Sequence, residues 1–582
     1  MIRTKKEILL RMLSLLSPYR WIVLIISILS VAQVTLTLYL PVLIGQSIDL
    51  MISKGQVDFV SLQQLLKQMV IIIILNTLVQ WILPRIYQKI TYEITRDLRQ
   101  ATLEKLHSMP LSYIDRHSTG DLVSRLTTDT EQFNDGLLMI FEQLIIGLLT
   151  IIFTLVMMFN INVIMMIVVT LLSPISLLTS RFIANKSYEY FSSSAKQRGA
   201  LSELVEESIT QKETITLFNY HTQRANQFRH INDNYSDLSF KATFYSSTVN
   251  PTTRFINSLI YAGVTGIGAL LILNASLSGG GLTVFLNYAK EYTKPFNDIS
   301  NVFAELQSAM ASANRLFDIL DGPTELESGN HIFDKDNLSG DITFEHVDFS
   351  YDPNITLIED LNLNVKAGQK VAIVGPTGAG KSTVINLLMR FYEVNSGHIT
   401  LDQQKITDYT KASLRQQIGM VLQDGWINSG SVADNIAYGF PNASREQVIS
   451  AAKRAFAHQF IEALPQGYDT ILESGGNSLS KGQQQLLSIA RLFVSIPNVL
   501  ILDEATSSID TRTEIQIQKA FHALMEGRTS FVIAHRLSTI QDANLILVMD
   551  QGQVVEQGNH EELMNNKGLY YKMQMANNIN II

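Results

Sequence analysis

The sequence predicts an all-α membrane domain of six transmembrane helices with long extensions, fused to an α/β domain built on a P-loop. Three observations predict it. Apolar runs long enough to cross hydrocarbon recur through roughly the first half of the chain. From Asp341 the pattern changes to short β-rich runs of ordinary soluble composition. Finally, an apolar strand pattern, Val371 to Val374, meets a helical run, Thr383 to Tyr392. Between them lies a glycine-rich stretch: Gly375, Pro376, Thr377, Gly378, Ala379, Gly380, Lys381 and Ser382.

A chain of 582 residues is long enough for several domains. The composition shift places a membrane domain at 1–318, a linker at 319–340 and a second domain at 341–582. The formal net charge of −8 gives no reason to expect nucleic acid as a partner. With no cysteine, disulfides, thiolate metal sites and a cysteine nucleophile are excluded. The basic N-terminal segment runs into an apolar stretch too long for a cleavable signal. Residues 5–16 set Lys5, Lys6, Glu7 and Arg11 against Ile8, Leu9, Met12, Leu13 and Leu16. That is the pattern of an amphipathic helix on a membrane surface, or of a helix end flanking a span.

Spanning the hydrocarbon takes about 20 mostly apolar residues. Six stretches qualify: 21–47, 65–88, 137–159, 161–183, 253–274 and 282–303. Lys and Arg concentrate before the first, between the second and third, and between the fourth and fifth. The segments 48–64, around Asn160 and 274–281 carry almost none. By the positive-inside rule those three face outward, and both termini are cytoplasmic in the cell membrane. The two long inward segments have few breakers and predict helices that continue beyond the bilayer. An extra 25 helical residues would reach about 38 Å. Each segment reverses once, at Pro110 to Asp115 with a restart at Ser118, and near Thr214 to Tyr220.

Ionisable residues inside a span are costly and need partners or water. Glu291, Lys294 and Asp298 share one helical face in the sixth and least apolar span, with Lys290 on its flank. That face either lines a wet pathway or holds internal ion pairs. Glu142, early in the third span, is a weaker instance of the same kind.

In the second domain the chemistry is local. Glycines at this spacing let successive N–H groups point into one concavity, Lys381 can reach β/γ-phosphates, and Ser382 offers a hydroxyl to Mg²⁺. The following helix N-terminus favours phosphate. The strand Val499 to Leu502 ends in Asp503 and Glu504. Behind a P-loop, the first such acid holds Mg²⁺ through water and the second can polarise an attacking water. His535 closes another apolar strand, where it either bonds the γ-phosphate or is structural. Tyr351 ends the strand that begins at Ile342, placed either to stack on a base or to fill a core. Ser480 is a good N-cap for a helix running to about Ser495. The exposed N–H groups there form a second anion site, suited to a neighbouring molecule's nucleotide.

On these residues the whole chain resembles a half-transporter of the ATP-binding-cassette (ABC) exporter superfamily. The motifs fall in the family's order: Walker A at 375–382, the Q-loop Gln423, the signature at 479–483, Walker B with Asp503 and Glu504, the D-loop ending at Asp510, and the switch His535. Tyr351 matches the aromatic A-loop position, Glu473 an acidic residue that meets the intracellular helices, and the two reversals the coupling helices. The resemblance implies ATP and Mg²⁺ as cofactors, and an ATP hydrolase coupled to transport. It implies a dimer with each ATP between one subunit's Walker A loop, followed by Thr383, and the other's Ser480, Gly482 and Gln483. Gln423, Ser382 and Asp503 would approach Mg²⁺, Glu504 would serve as base or water-orienting group, and His535 would sense the γ-phosphate. The signature departs from the family at Lys481, where glycine is usual. An altered signature beside an intact Glu504 resembles exporters that pair two different halves, so a heterodimer is favoured over a homodimer. The expected activity is multidrug-type export of small amphiphilic or hydrophobic compounds through the lipid bilayer. The alternatives are a lipid flippase, a peptide exporter or an importer on the same scaffold. Six apolar spans argue against a soluble ATPase acting on ribosomes or DNA.

Overall fold

The structure, a computed structural model, describes residues 3–51, 57–274, 276–325, 329–332, 338–422, 425–473, 475–476, 478–503, 509–533 and 540–579. The chain divides into two compact units, Met1–Ser108 with His117–Gly322, and Met109–Arg116 with Pro323–Ile582.

The first unit is helical. Its long helices are Arg20–Met51, Phe59–His107, Val163–Thr210, His221–Leu273 and Gly279–Leu320. Another run is assembled from Thr130–Met139, a π-helical turn Ile140–Ile145, and Ile146–Ile161. Among the described residues, five helical runs are long and apolar enough to cross a membrane. Their apolar windows stay mostly uncovered by protein, only 6% buried in Phe59–His107, as expected of surfaces that meet lipid. Gly279–Leu320 is not among the five, because Lys290, Glu291 and Lys294 interrupt it; it is nonetheless one continuous helix. Pro41, Pro84, Pro174, Pro251 and Pro295 all lie inside helices, a placement that membrane helices tolerate because neighbouring groups re-satisfy the freed carbonyls. The two expected reversals are short helices, Leu111–Asp115 and Lys212–Leu217.

The N-terminal helix Lys5–Ser14 starts at a capping box between Thr4 and Glu7. Its apolar face turns out to meet protein: Ile8 and Met12 are buried with Leu316 and Phe317. Arg3 pairs with Asp318 and Asp321, each at 2.6 Å, and Arg11 reaches Asp321 at 2.5 Å while lying 4.2 Å from the Phe317 ring centroid. The Arg11 hydrogen bond, aided by Arg3, holds the Asp321 carboxyl at about 2, below its ordinary value. A depressed carboxylate stabilises the fold above its unfolded pKa and loses that contribution as pH falls through the folded value. The helix 5–14 is therefore expected to loosen between about pH 4 and 2. Hydrogen exchange of its amides, corrected for intrinsic rates, checks this; unchanged protection at pH 2 would reject the tether.

The second unit holds two main sheets. One comprises β1 (Ile342–Phe349), β2 (Ile358–Val365), β4 (Ser396–Leu401) and β5 (Gln404–Lys405), in the order β2-β1-β4-β5. The other contains β3 (Lys370–Val374), β6 (Ile418–Val421), β9 (Val499–Asp503), β10 (Thr529–Ile533), β11 (Leu545–Asp550) and β12 (Gln553–Gly558), in the order β12-β11-β3-β10-β9-β6. A minor ribbon pairs β7 (Gly430–Ser431) with β8 (Ile471–Leu472). Strands β3, β6, β9 and β10 run parallel and are buried nearly throughout, which is why they read as continuous apolar runs. Part of the expected linker packs on this unit: Glu325 meets Lys411 at 3.1 Å and Arg415 at 2.8 Å. The short helix Leu111–Asp115 also belongs here, where the Tyr392 hydroxyl donates to Asp115. Burial, reinforced by that carboxylate, pushes the Tyr392 phenol up.

Candidate functional site

Parallel register decides which residues of the second unit meet. Ile373 of β3 pairs with Ile533 of β10, and Ile533 pairs with Asp503 of β9. The loop after β3 and the acid ending β9 therefore leave the sheet at one edge, two strands apart, or about 10 Å. Lys381 spans that gap electrically. Burial pushes its ammonium down from the ordinary value, and the Asp503 charge counters the shift. Its Nζ donates to the carbonyls of Gly375 and Pro376 at 2.8 and 2.9 Å, holding the charge at the mouth of the loop.

The loop's glycines have separate reasons. Gly380 sits at φ +93° as N-cap of the helix Lys381–Leu388 and gives it no side-chain cap, so the first N–H groups are left for an anion. A Cβ on Gly375 would lie 2.1 Å from the Met549 carbonyl oxygen, so only glycine allows that approach. Ser382 is exposed and Thr383 is buried behind it. Tyr351 stands beside this helix: its hydroxyl donates to Thr383 Oγ1 at 3.4 Å and accepts from Asn386 at 3.1 Å. Its ring packs edge-on against Phe349 and Tyr392, with centroids 4.8 Å apart in both pairs. Asn386 was not legible as a site residue, since a lone amide in a helix carries no sequence signal.

The cradle suits a polyphosphate. Among the described residues no cluster of three or more His, Cys, Asp or Glu could hold a metal. A hydroxyl and a strand-end carboxylate fit a Mg²⁺ that takes most of its oxygens from phosphates and water. Gln423, Glu504 and His535 lie outside the described residues, as does the side chain of Asp298.

The turn expected to be a second anion site is built by a capping box: Ser480 Oγ accepts from Gln483 N–H at 3.3 Å, and Gln483 accepts from Ser480 N–H at 3.0 Å. Buried Gln484, unnoticed in the sequence, braces the preceding turn by donating to Gly476 and Leu479 carbonyls. Gly482 faces inward, where a Cβ would lie 2.5 Å from Thr513 Cγ2. Lys481 is exposed at the first helical position. Asp510 caps the next helix, Thr511–Met525, accepting from Thr513 N–H at 3.0 Å, and these bonds hold its carboxyl low. Glu473 is exposed.

The first unit carries a cavity of about 510 Å³. It joins Glu142, Glu291 and Lys294 with the amides Gln33, Gln80 and Gln143 and the hydroxyls of Thr37 and Thr150, on walls that are otherwise apolar. Lys294 Nζ lies 3.2 Å from both Glu291 carboxylate oxygens. Glu291 and Lys294 thus form an ion pair at the border of this cavity, with the Lys294 side chain 64% exposed.

Comparison with known proteins agrees with this layout. A family described as the ABC transporter transmembrane region matches residues 23–295, and one described as ABC transporter matches 358–507. The chain is 40% identical over 520 residues to a fatty acid ABC transporter ATP-binding/permease protein of Mycobacterium bovis, covering 89% of this chain and 82% of the other. It is 35% identical over 489 residues to an ATP-dependent lipid A-core flippase of Sodalis glossinidius, covering 83% of each. In structure it is similar to a bacterial Atm1-family ABC exporter with ATP bound, with a TM-score of 0.78, 28% identity, and coverage of 96% of this chain and 98% of that one.

Proposed function

This chain belongs to the ABC transporter family, as an exporter half that couples ATP hydrolysis to transport, and from that premise we propose that its cargo is an amphiphilic compound moved out of the cytoplasm. The observation that carries this reading is the cavity beside Glu291 and Lys294, whose walls set Val, Leu and Ile side chains against a group of amides, hydroxyls and charges and so suit a molecule with one wet end. A lipid as cargo is favoured over the broader multidrug range by the names of two relatives, one a fatty acid transporter and one a lipid A-core flippase. The test is ATPase stimulation and vesicle transport by the purified chain, alone and with its genomic neighbour. If no amphiphile stimulates turnover or is moved, the reading fails. Glu291→Ala is expected to change which amphiphiles stimulate the ATPase; an unaltered profile returns Glu291 to a structural role.

ABC exporters function as dimers, and we place ATP between the 375–382 loop of one subunit and the Ser480 turn of the other. Lys481 beside an intact Glu504 favours a partner of different sequence; two competent sites in a pure homodimer would overturn that. Mg²⁺, when bound, neutralises charge on the phosphate oxygens. Ser382, Asp503 and Gln423 are assigned to it, and the loop amides with Lys381 grip the phosphates. Glu504 would act as general base or water-orienting group, and His535 would sense the γ-phosphate. Moving a dimer from 1:99 to 99:1 closed takes about 5.5 kcal/mol of differential binding, which a triphosphate shared by two subunits supplies. With both termini cytoplasmic, the short helices Leu111–Asp115 and Lys212–Leu217 carry that closure to the spans.

A further inference from the structure

We propose that a second cavity, between the helices His221–Leu273 and Gly279–Leu320, binds the anionic head, carboxylate or phosphate, of an acyl-chain amphiphile through Arg254, Lys290 and Lys294. The inference rests on the amphiphile-export reading and names the head-group chemistry that reading leaves open. The cavity measures about 490 Å³. Among the described residues, three cationic side chains line it and no carboxylate does. Arg254 and Lys290 make no ion pair or side-chain hydrogen bond among the described residues. Lys294 shares its charge with Glu291, which lines the neighbouring 510 Å³ cavity instead.

Cations gathered in a membrane helix pair are costly, and they also repel one another. An anion bound among them removes both penalties. A guanidinium suits a carboxylate or phosphate because its planar fork donates two parallel hydrogen bonds. A fourth polar group points the same way: Asn257 lines the cavity, and its buried Oδ1 has no hydrogen-bond partner. Amide orientation is assigned from the surrounding bonds, so turning this amide presents its NH₂ to an incoming oxygen. The hydroxyls of Ser258 and Thr293 donate instead to backbone carbonyls of their own helices. Tyr261, which lines the cavity on the same helix, is 48% exposed, and its ring offers an apolar surface for the tail on the way out to lipid. Lys294 lines both cavities, so a bound head competes with Glu291 for one ammonium.

The test uses the full chain in nanodiscs of zwitterionic lipid. Four fluorescent probes share one 12-carbon tail and carry a carboxylate, a phosphate, a neutral glycerol ester or a trimethylammonium head. We expect an anionic head to bind about 10-fold tighter than the neutral ester, as charge-assisted hydrogen bonds allow. Arg254→Gln with Lys290→Gln should erase that preference while keeping affinity for the neutral ester. The charge-conserving pair Arg254→Lys and Lys290→Arg should retain it, which separates charge from folding. Preference for carboxylate alone points to a free fatty acid, and for phosphate alone to a phospholipid-type head; either supports the site. Equal affinity for all four heads, or a preference that survives the double Gln variant, overturns it and leaves amphiphile export standing. Failure of every probe to bind overturns both.

Discussion

Glu504→Gln is expected to lower ATP turnover by about 10²-fold or more while nucleotide binding survives. The reason is positional. Strand β9 is buried along Val499 to Leu502 and delivers Asp503 to the edge where the 375–382 loop emerges, close enough for its charge to act on Lys381. Glu504 is the next residue. An amide there keeps the shape and the hydrogen-bonding reach but cannot accept the water's proton. Equilibrium binding of a fluorescent ATP analogue, set against steady-state phosphate release, separates the two effects. Near-normal release by the variant removes Glu504 from the mechanism.

Gly482→Ala should destabilise the second unit and slow ATP hydrolysis together. The new methyl would lie 2.5 Å from Thr513 Cγ2 and 3.0 Å from Ile509 Cγ2. Thr513 is β-branched and helical, so it cannot easily swing away. The helix Lys481–Val494, buried along Gln484 to Leu487, must then separate from Thr511–Met525. Overpacking of this kind costs about 1–3 kcal/mol. A lowered unfolding midpoint for the single variant, recovered by adding Thr513→Ala, is the expected pattern. If stability recovers and turnover does not, the glycine also serves close approach to phosphate. An unchanged midpoint in the single variant would falsify the packing.

Much of the second domain was legible in the sequence because its determinants are local. The loop from Gly375 to Ser382 lies between an apolar strand and a helix, and Gly375 and Gly380 each answer a need within a few residues or one strand away. The Ser480 cap and the substitution at Lys481 are local in the same sense. The family resemblance marks Gly482 as a phosphate contact; its closeness to Thr513 depends on how two distant helices pack, which no spacing expresses. Asn386 and Gln484 were silent for the same reason.

In the membrane domain the sequence alone determined the apolar runs, the two reversals and the charged stretch from Lys290 to Lys294. Only the tertiary structure decided that Glu142 and Gln80 share a cavity with Glu291, that Arg254 joins Lys290 across a second one, and that Ile8 and Met12 pack against protein. The cause is the solvent. In water an apolar stripe marks the buried face of a helix, whereas in a bilayer the lipid-facing and protein-facing sides are both apolar. The rotation of each helix about its own axis is then set by packing against its neighbours, and with it which charges meet.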